Sequence, residues 1–174
     1  MAFASPAIIE KKKLILMGAG GSFKTRVCDY IIDSTLLSDL THDDAMIMAE
    51  WVKAYEVSKG TEIITEGEKS PCLCILSEGR LDVFKETSSY ERKKVATILP
   101  GRSFGEMGVI DGRPHSATVI ASENSIILLI TATNFKQLVE DHPSLGNKLL
   151  YSIARMMSLR LRQTTGQLAD YIEK

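Results

Sequence analysis

Between residues 54 and 132 the chain is written in short apolar and β-branched runs with alternating polar positions, interrupted by Gly60, Gly67, Gly79, Gly101, Gly105 and Gly112. Alternation with period two, punctuated by glycine, predicts a series of antiparallel strands. The runs fall at 54–57, 62–65, 72–77, 81–86, 94–99, 117–121 and 125–131, with Glu78-Gly79 predicted as a hairpin turn between two of them. Strands this short and this numerous close into a small sandwich or barrel, and a jelly roll is the common solution to the edge problem at this size.

A helical period flanks this block on both sides. The apolar run from Val27 to Ile32 and the stretch Leu36-Leu37-Ser38-Asp39-Leu40 form a helical prelude. Thr41 followed three residues later by Asp44 matches a capping box, and Ala45, Met48 and Val52 recur at helical spacing beside Trp51, which predicts a helix over 42–53. Thr133 is the expected N-cap of a helix carrying Phe135, Leu138 and Val139, which stops at Asp141-His142-Pro143; the helical period resumes at Ser144. In this last helix Leu150, Ile153, Met157, Leu161, Thr164, Leu168 and Tyr171 follow steps of three and four, a heptad-like seam, while Leu145, Leu149, Met156 and Leu159 cover a second face. One face docks on the sheet and the other on a second chain, or both pack within one subunit, or Gly166 ends the helix early. The fold class is mainly β with flanking helices, a β jelly roll with N-terminal helices and a long C-terminal helix. The boundaries fall at 1–33 for an N-terminal leader or helical extension, 34–142 for a helix plus the jelly roll, and 143–174 for the C-terminal helix.

Composition narrows the function. With 174 residues, 44% of them hydrophobic, the chain has apolar side chains enough for one packed core, and 21 Lys plus Arg against 22 Asp plus Glu leave a formal charge of -1 with no basic excess for nucleic acid. No apolar run approaches the roughly 20 residues that cross a bilayer, so no membrane association is expected. The basic Lys11, Lys12 and Lys13 precede an apolar run too short for a signal peptide, and no small-residue cleavage site follows. A cytoplasmic protein is expected. Cys28, Cys72 and Cys74 are odd in number and lack metal-ligand spacing, so they are expected as reduced thiols with no metal site.

Two glycine clusters are candidates for ligand chemistry. The segment from Gly18 to Thr25, GAGGSFKT, has the outline of a phosphate-cradling loop, but Phe23 stands where the second glycine is required and no βα repeats follow, so a leader is expected instead; the residues from Met1 to Tyr30 form a flexible arm, a docking segment or a helix folded back on the jelly roll, and composition leaves the three open. The second cluster, FGEMGVIDGRPHSATV from Phe104 to Val119, joins two strands. Gly105 and Gly108 let the backbone approach a ligand, Glu106 offers a carboxylate, a turn or short helix exposes amides, and Ser116-Ala117 open the next strand with small side chains. Together these suit a phosphate and a ribose; a glycine-rich turn with a solvated Glu106 is the alternative.

At these residues the sequence resembles the cyclic nucleotide-binding domain family of catabolite-activator-type regulators, protein kinase A regulatory subunits and cyclic nucleotide-gated channels. The resemblance runs from about Leu36 to Gln163 and includes Lys59-Gly60, Glu66-Gly67-Glu68, Ile75-Leu76-Ser77-Glu78-Gly79, Leu99-Pro100-Gly101 and the cassette from Phe104 to Val119. It implies a jelly roll whose ligand is cyclic AMP or cyclic GMP. It further implies that Glu106 binds the ribose 2′-hydroxyl, that amides near Gly105, Ser116 and Ala117 line the cyclic phosphate, and that the C-terminal helix is both homodimer seam and lid over the base. Phe104 and Met107 belong to the same cassette.

One position departs from the pattern. The family's cassette ordinarily ends in Pro-Arg-(Ala/Ser)-Ala, its arginine pairing with the phosphate, whereas here Pro114 is followed by His115. A neutral imidazole gives one donor where arginine gives a planar charged fork, and losing that contact costs on the order of 2–5 kcal/mol. Arg113, two residues earlier, lies on the same side in an extended segment and is a candidate substitute; an exposed turn arginine beside Asp111 is the other reading.

No paired-carboxylate, Ser-His or metal-ligand constellation is present, and His42, His115 and His142 lie far apart, so no catalysis is expected. The last helix is not followed by a helix-turn-helix before Lys174, and Arg155, Arg160 and Arg162 are read as a solvated face or a lid contact to the base, so direct DNA binding is not expected either. Two functions stay open. The first is a non-enzymatic regulatory module that binds a cyclic nucleotide and signals through its C-terminal helix. The second is a degenerate domain, without nucleotide, that dimerises or docks on a protein partner.

Overall fold

The computed structural model describes residues 12–18 and 21–173. Among these, nine strands form two sheets. The first sheet contains β1 (Ile15–Leu16), β2 (Lys53–Val57), β4 (Cys72–Glu78), β7 (Ser103–Phe104) and β9 (Ser125–Thr131) in the order β1-β2-β9-β4-β7. The second contains β3 (Glu62–Ile64), β5 (Leu81–Glu86), β6 (Arg92–Ile98) and β8 (Thr118–Ala121) in the order β3-β8-β5-β6. Every pairing is antiparallel. The fold is a mainly β roll with flanking helices, as the strand pattern predicts.

Two cores explain the hydrophobic pattern. Cys72, Cys74 and Leu76 of β4 meet Ile127 and Leu129 of β9 between the sheets, with Tyr55, Leu81 and Phe104. The alternate residues Leu73, Ile75, Leu128 and Ile130 point out of the first sheet into a second core under the helices. The two central strands are therefore covered on both faces, which is why they read as continuous apolar runs rather than as alternation.

Helix α1 (Gly21–Ile32) buries Val27, Cys28 and Ile31 in that outer core, and β1 adds to the sheet edge by pairing Ile15 with Glu56 and Leu16 with Tyr55. Of the open readings of the leader, residues 12–18 and 21–32 take the one folded back on the roll, with the first eleven residues outside the described ones. Residues 21–25 of the phosphate-loop outline are the opening of α1, and residues 19–20 lie outside the described ones.

Helix α2 (His42–Met48) has the predicted capping box, Thr41 Oγ1 accepting from the Asp44 amide and Asp44 Oδ2 accepting from the Thr41 amide. It ends earlier than its periodicity suggests, because tighter bonds from the Glu50 and Trp51 amides to Ile47 and Met48 turn the chain into β2. The Glu78-Gly79 turn is not a hairpin. It carries the chain from the first sheet to the second, and Gly79, at φ 91°, packs so closely on Asn124 and Ser125 that a side chain has no room.

Helix α3 (Glu106–Asp111) lies between β7 and β8. Helix α4 (Ala132–Asp141) follows β9 without a loop, and its N-cap is Thr131, whose hydroxyl accepts from the Asn134 amide, rather than Thr133. Helix α5 (Pro143–Ile172) is continuous for 30 residues through Gly166. Leu145, Leu149, Ser152 and Ile153 bury its first half in the outer core.

Candidate functional site

The cassette between β7 and β8 is built around glycine. Gly105 has φ 80°, and a Cβ placed on it would lie 2.4 Å from the Cys72 carbonyl oxygen. Left-handed backbone and absent side chain together let β7 turn into α3 while hugging β4. Gly108 packs on Pro71, which holds the other side of this short helix.

The turn at Gly105 drives Glu106 inward. Only 3% of this residue is exposed, an unusual position for a carboxylate unless it is paired. Its Oε1 accepts from Nη1 of Arg160 on α5 at 2.6 Å, while its Oε2 is buried and has no hydrogen-bond partner among the described residues. Arg160 also donates through Nη2 to the Ser103 carbonyl, and the Ser103 hydroxyl reaches Met156 Sδ at 2.9 Å. The cassette and the last helix are thus fastened together across 54 residues of sequence. The neighbouring Cys74 thiol is pushed well up, chiefly by its burial, then by Cys72 and by the charges around it, including that of Glu106.

His115 is buried, at 6% exposure. Its amide donates to the Glu68 carbonyl and its carbonyl accepts from the Gly67 amide, which pins it to the turn before β4. Its Nε2 lies 3.0 Å from the Ser70 carbonyl oxygen and 3.2 Å from the Ser70 hydroxyl. A carbonyl only accepts, so Nε2 carries the proton and donates. Burial lowers the imidazole pKa below its usual value; the Ser70 bond and the Glu68 carboxylate oppose this, and Lys12 adds to it. Lys12, brought in by the N-terminal segment, pairs with Glu68 at 2.9 Å.

Between this cassette and α5 lies an open cavity of about 780 Å³, within the range of small-molecule sites. Phe104, Gly105, Glu106, Met107, His115, Ser116 and Ala117 all line it. Phe104 does so from the core between the sheets, and Met107 and Ser116 from exposed positions with the Ser116 hydroxyl 3.6 Å from Met107 Sδ. Arg113 does not line it: the residue is exposed in the turn and its amide bonds Asp111 Oδ1. The opposite wall is α5, through Ser152, Arg155, Met156, Leu159, Arg160 and Gln163.

The part of the site that sequence alone did not specify is the partnership of Glu106 with Arg160. Arg160 stands out in the sequence only as one of three arginines on the last helix. Its spacing of 4 and 8 from the cavity-facing Met156 and Ser152 places it on the inner face of α5, a signal that acquires meaning once that face is known to close on the cassette.

Among the described residues no helix is long and apolar enough to cross a membrane, and no group of three or more His, Cys, Asp or Glu is arranged to hold a metal ion.

Comparison with known proteins agrees with this geometry. The model of the cyclic nucleotide-binding domain matches residues 55–142, just over half of the chain. The chain is 26% identical over 121 residues to the cAMP-dependent protein kinase regulatory subunit of Blastocladiella emersonii, covering 70% of this chain and 30% of that protein. It is 29% identical over 113 residues to human cGMP-dependent protein kinase 2, covering 64% of this chain and 15% of that one. The chain therefore spans less than a third of the length of either relative. A solved cyclic nucleotide-binding domain from Methylobacillus flagellatus superposes with a TM-score of 0.80 at 22% identity, over 92% of this chain and 90% of that one. With its cassette, its roll and the family model matched over residues 55–142, the chain belongs to the cyclic nucleotide-binding domain family.

Proposed function

We propose that this chain is a non-enzymatic sensor whose cavity binds cyclic AMP or cyclic GMP and whose occupancy is transmitted through α5. The observation that carries the reading is Glu106 Oε2, an acceptor buried in a cavity wall with no donor among the described residues. A buried unpaired acceptor is costly, and a ligand hydroxyl is the group that satisfies it. In this reading Glu106 takes the ribose 2′-hydroxyl, the amides of the Gly105–Glu106 turn and of Ser116 and Ala117 face the phosphate, and α5 covers the base. Because α5 already contacts Glu106 through Arg160, a ligand held between the cassette and α5 bears on the setting of this helix directly. The exposed seam of α5 then relays that setting to a second copy or to a protein partner, in the cytoplasm and without contact to DNA.

A second reading rests on His115, whose ring donor is spent on Ser70 and which therefore leaves the cassette without the usual cation. In that reading the domain has lost nucleotide and serves only for docking or dimerisation.

Thermal unfolding with and without saturating cyclic AMP or cyclic GMP separates the two. Ligand at 100 times its dissociation constant stabilises by about 2.7 kcal/mol, which raises the midpoint of a chain of this size by about 5–10 °C. A shift with either nucleotide supports the sensor. No shift in the native chain and none in His115→Arg favours the docking module; a shift in His115→Arg alone identifies an intact pocket that lacks only its anion contact.

A further inference from the structure

We infer that Arg160, carried by the lid helix α5, is the cation that binds the ligand's cyclic phosphate in place of the arginine missing from the cassette. The inference rests on the cyclic nucleotide reading above and assigns to the lid a role in holding the anion.

A phosphate buried in this cavity needs a positive partner. Among the described residues no lysine lines the cavity, and its arginines are Arg102, Arg155 and Arg160. Arg102 is exposed. Arg155 is drawn aside toward Asp39, 3.4 Å away and half-exposed. Lys85 touches the cassette through the Ser116 carbonyl, but it is paired with Glu66 and does not line the cavity. Lys12 is paired with Glu68 and does not line it either. His115 is buried with its Nε2 proton given to Ser70. Arg160 alone among these cations reaches the floor of the cassette.

Its geometry leaves it free to act. A guanidinium has five N–H donors in a planar fork. Two of them are used, on Glu106 Oε1 and on the Ser103 carbonyl. Glu106 in turn has Oε2 unused. In a ribose 3′,5′-cyclic phosphate the 2′-hydroxyl and the phosphate sit on adjacent carbons. A hydroxyl donating to Oε2 therefore brings the phosphate beside the same carboxylate, and so beside the guanidinium that carboxylate already holds. Neither existing bond has to break. The ligand completes a three-member arrangement in which Arg160 bridges the anions of Glu106 and the phosphate.

The consequence is that the phosphate, and not the base alone, ties α5 to the roll. A nucleoside lacking phosphate fills Oε2 yet leaves α5 held only by its resting contacts.

The test measures binding of cyclic AMP and cyclic GMP, with adenosine and guanosine as phosphate-free counterparts, to the native chain and to Arg160→Gln, Lys85→Gln, His115→Arg and the His115→Arg/Arg160→Gln pair. Arg160→Gln leaves the buried carboxylate of Glu106 without its charge partner and is expected to lower the thermal midpoint, so binding of all variants is compared at a temperature where each is folded. The expected result is that Arg160→Gln weakens the cyclic nucleotide by about tenfold to a hundredfold while the nucleoside changes less than about threefold. Lys85→Gln leaves the difference between the two ligands unchanged, and His115→Arg restores the affinity lost in Arg160→Gln. Hydrogen exchange is expected to slow in α5 around residues 156–167 with the cyclic nucleotide but not with the nucleoside, and this slowing is lost in Arg160→Gln. Equal loss of both ligands, or unchanged or tighter cyclic nucleotide binding in Arg160→Gln, overturns the inference and leaves the sensor reading in place. Binding by His115→Arg but not by the native chain overturns it as well, since Arg160 then fails to hold the phosphate. Binding by none of the proteins overturns the sensor reading together with it.

Discussion

His115 donates its Nε2 proton to the carbonyl oxygen of Ser70, 3.0 Å away, so the ring that replaces the cassette arginine is turned into the protein's own backbone. Its pKa is lowered, first by burial. The sign of the linkage follows. The unfolded chain takes up its proton near the ordinary value of about 6.5, before the folded ring does, so stability is full above that value and falls as the pH drops through it toward the folded pKa. His115→Gln keeps a donor for Ser70 but cannot titrate. Between about pH 7.5 and pH 5.5 the melting midpoint of the native chain is therefore expected to fall further than that of His115→Gln, measured by circular dichroism in matched buffers. Parallel curves would show that the ring charges freely in place.

Gly105 and Gly112 flank α3 with similar positive φ, 80° and 68°, but in different surroundings. A side chain on Gly105 meets the Cys72 carbonyl at 2.4 Å, whereas one on Gly112 meets nothing within 4 Å. Gly112→Ala is expected to cost about 1–2 kcal/mol for left-handed backbone alone, and Gly105→Ala at least about 2 kcal/mol more because β7 and β4 have to separate. Urea unfolding of both variants measures the difference; equal costs would mean the close approach of Gly105 to β4 carries no energy.

How far the sequence foretells this molecule depends on how local each signal is. The capping box at Thr41 and Asp44 and the break at Pro143 are decided within a few residues and lie where their residue types put them. The Glu78-Gly79 turn looks like a hairpin because local turn chemistry says only that the chain reverses, not which sheet it enters next. Thr131 displaces Thr133 as N-cap because β9 ends one residue before the helix begins, a boundary set by pairing with Cys72 of β4. The cassette residues are legible from glycine spacing and from family resemblance. The Glu106–Arg160 pair is not, since its members are joined by the path of a 30-residue helix over the roll rather than by any local pattern.

Glu106→Gln isolates the carboxylate. The amide is nearly isosteric, but it offers a weaker acceptor to a ligand hydroxyl and no charge to Arg160. Cyclic nucleotide affinity is expected to fall by about tenfold to a hundredfold by isothermal titration calorimetry, with a smaller loss of stability than in Gly105→Ala. Undiminished affinity would remove Glu106 from the site.

The second half of α5 leaves an apolar seam exposed, and a second copy of the chain is the expected cover for it. Leu161, Leu168 and Tyr171 are 67%, 56% and 78% exposed, and Ile153, their predecessor on the heptad seam, is already buried in the subunit's own core. An isolated helical segment of that length is marginal in water, because nucleation is costly and propagation gains little. An apolar seam at heptad spacing is the pattern that pairs with its like. Sedimentation equilibrium is expected to show a dimer for the native chain and a monomer for Leu161→Glu/Leu168→Glu. The thermal midpoint of the roll should stay nearly unchanged at protein concentrations where the native chain is itself dissociated, since neither leucine packs on it. Leu149→Ala provides the contrast: that residue is fully buried under the first sheet, and its truncation is expected to cost about 2–5 kcal/mol. A native chain that sediments as a monomer at tens of micromolar would leave the seam without its partner copy, and a dimer that survives both glutamates would place the interface elsewhere.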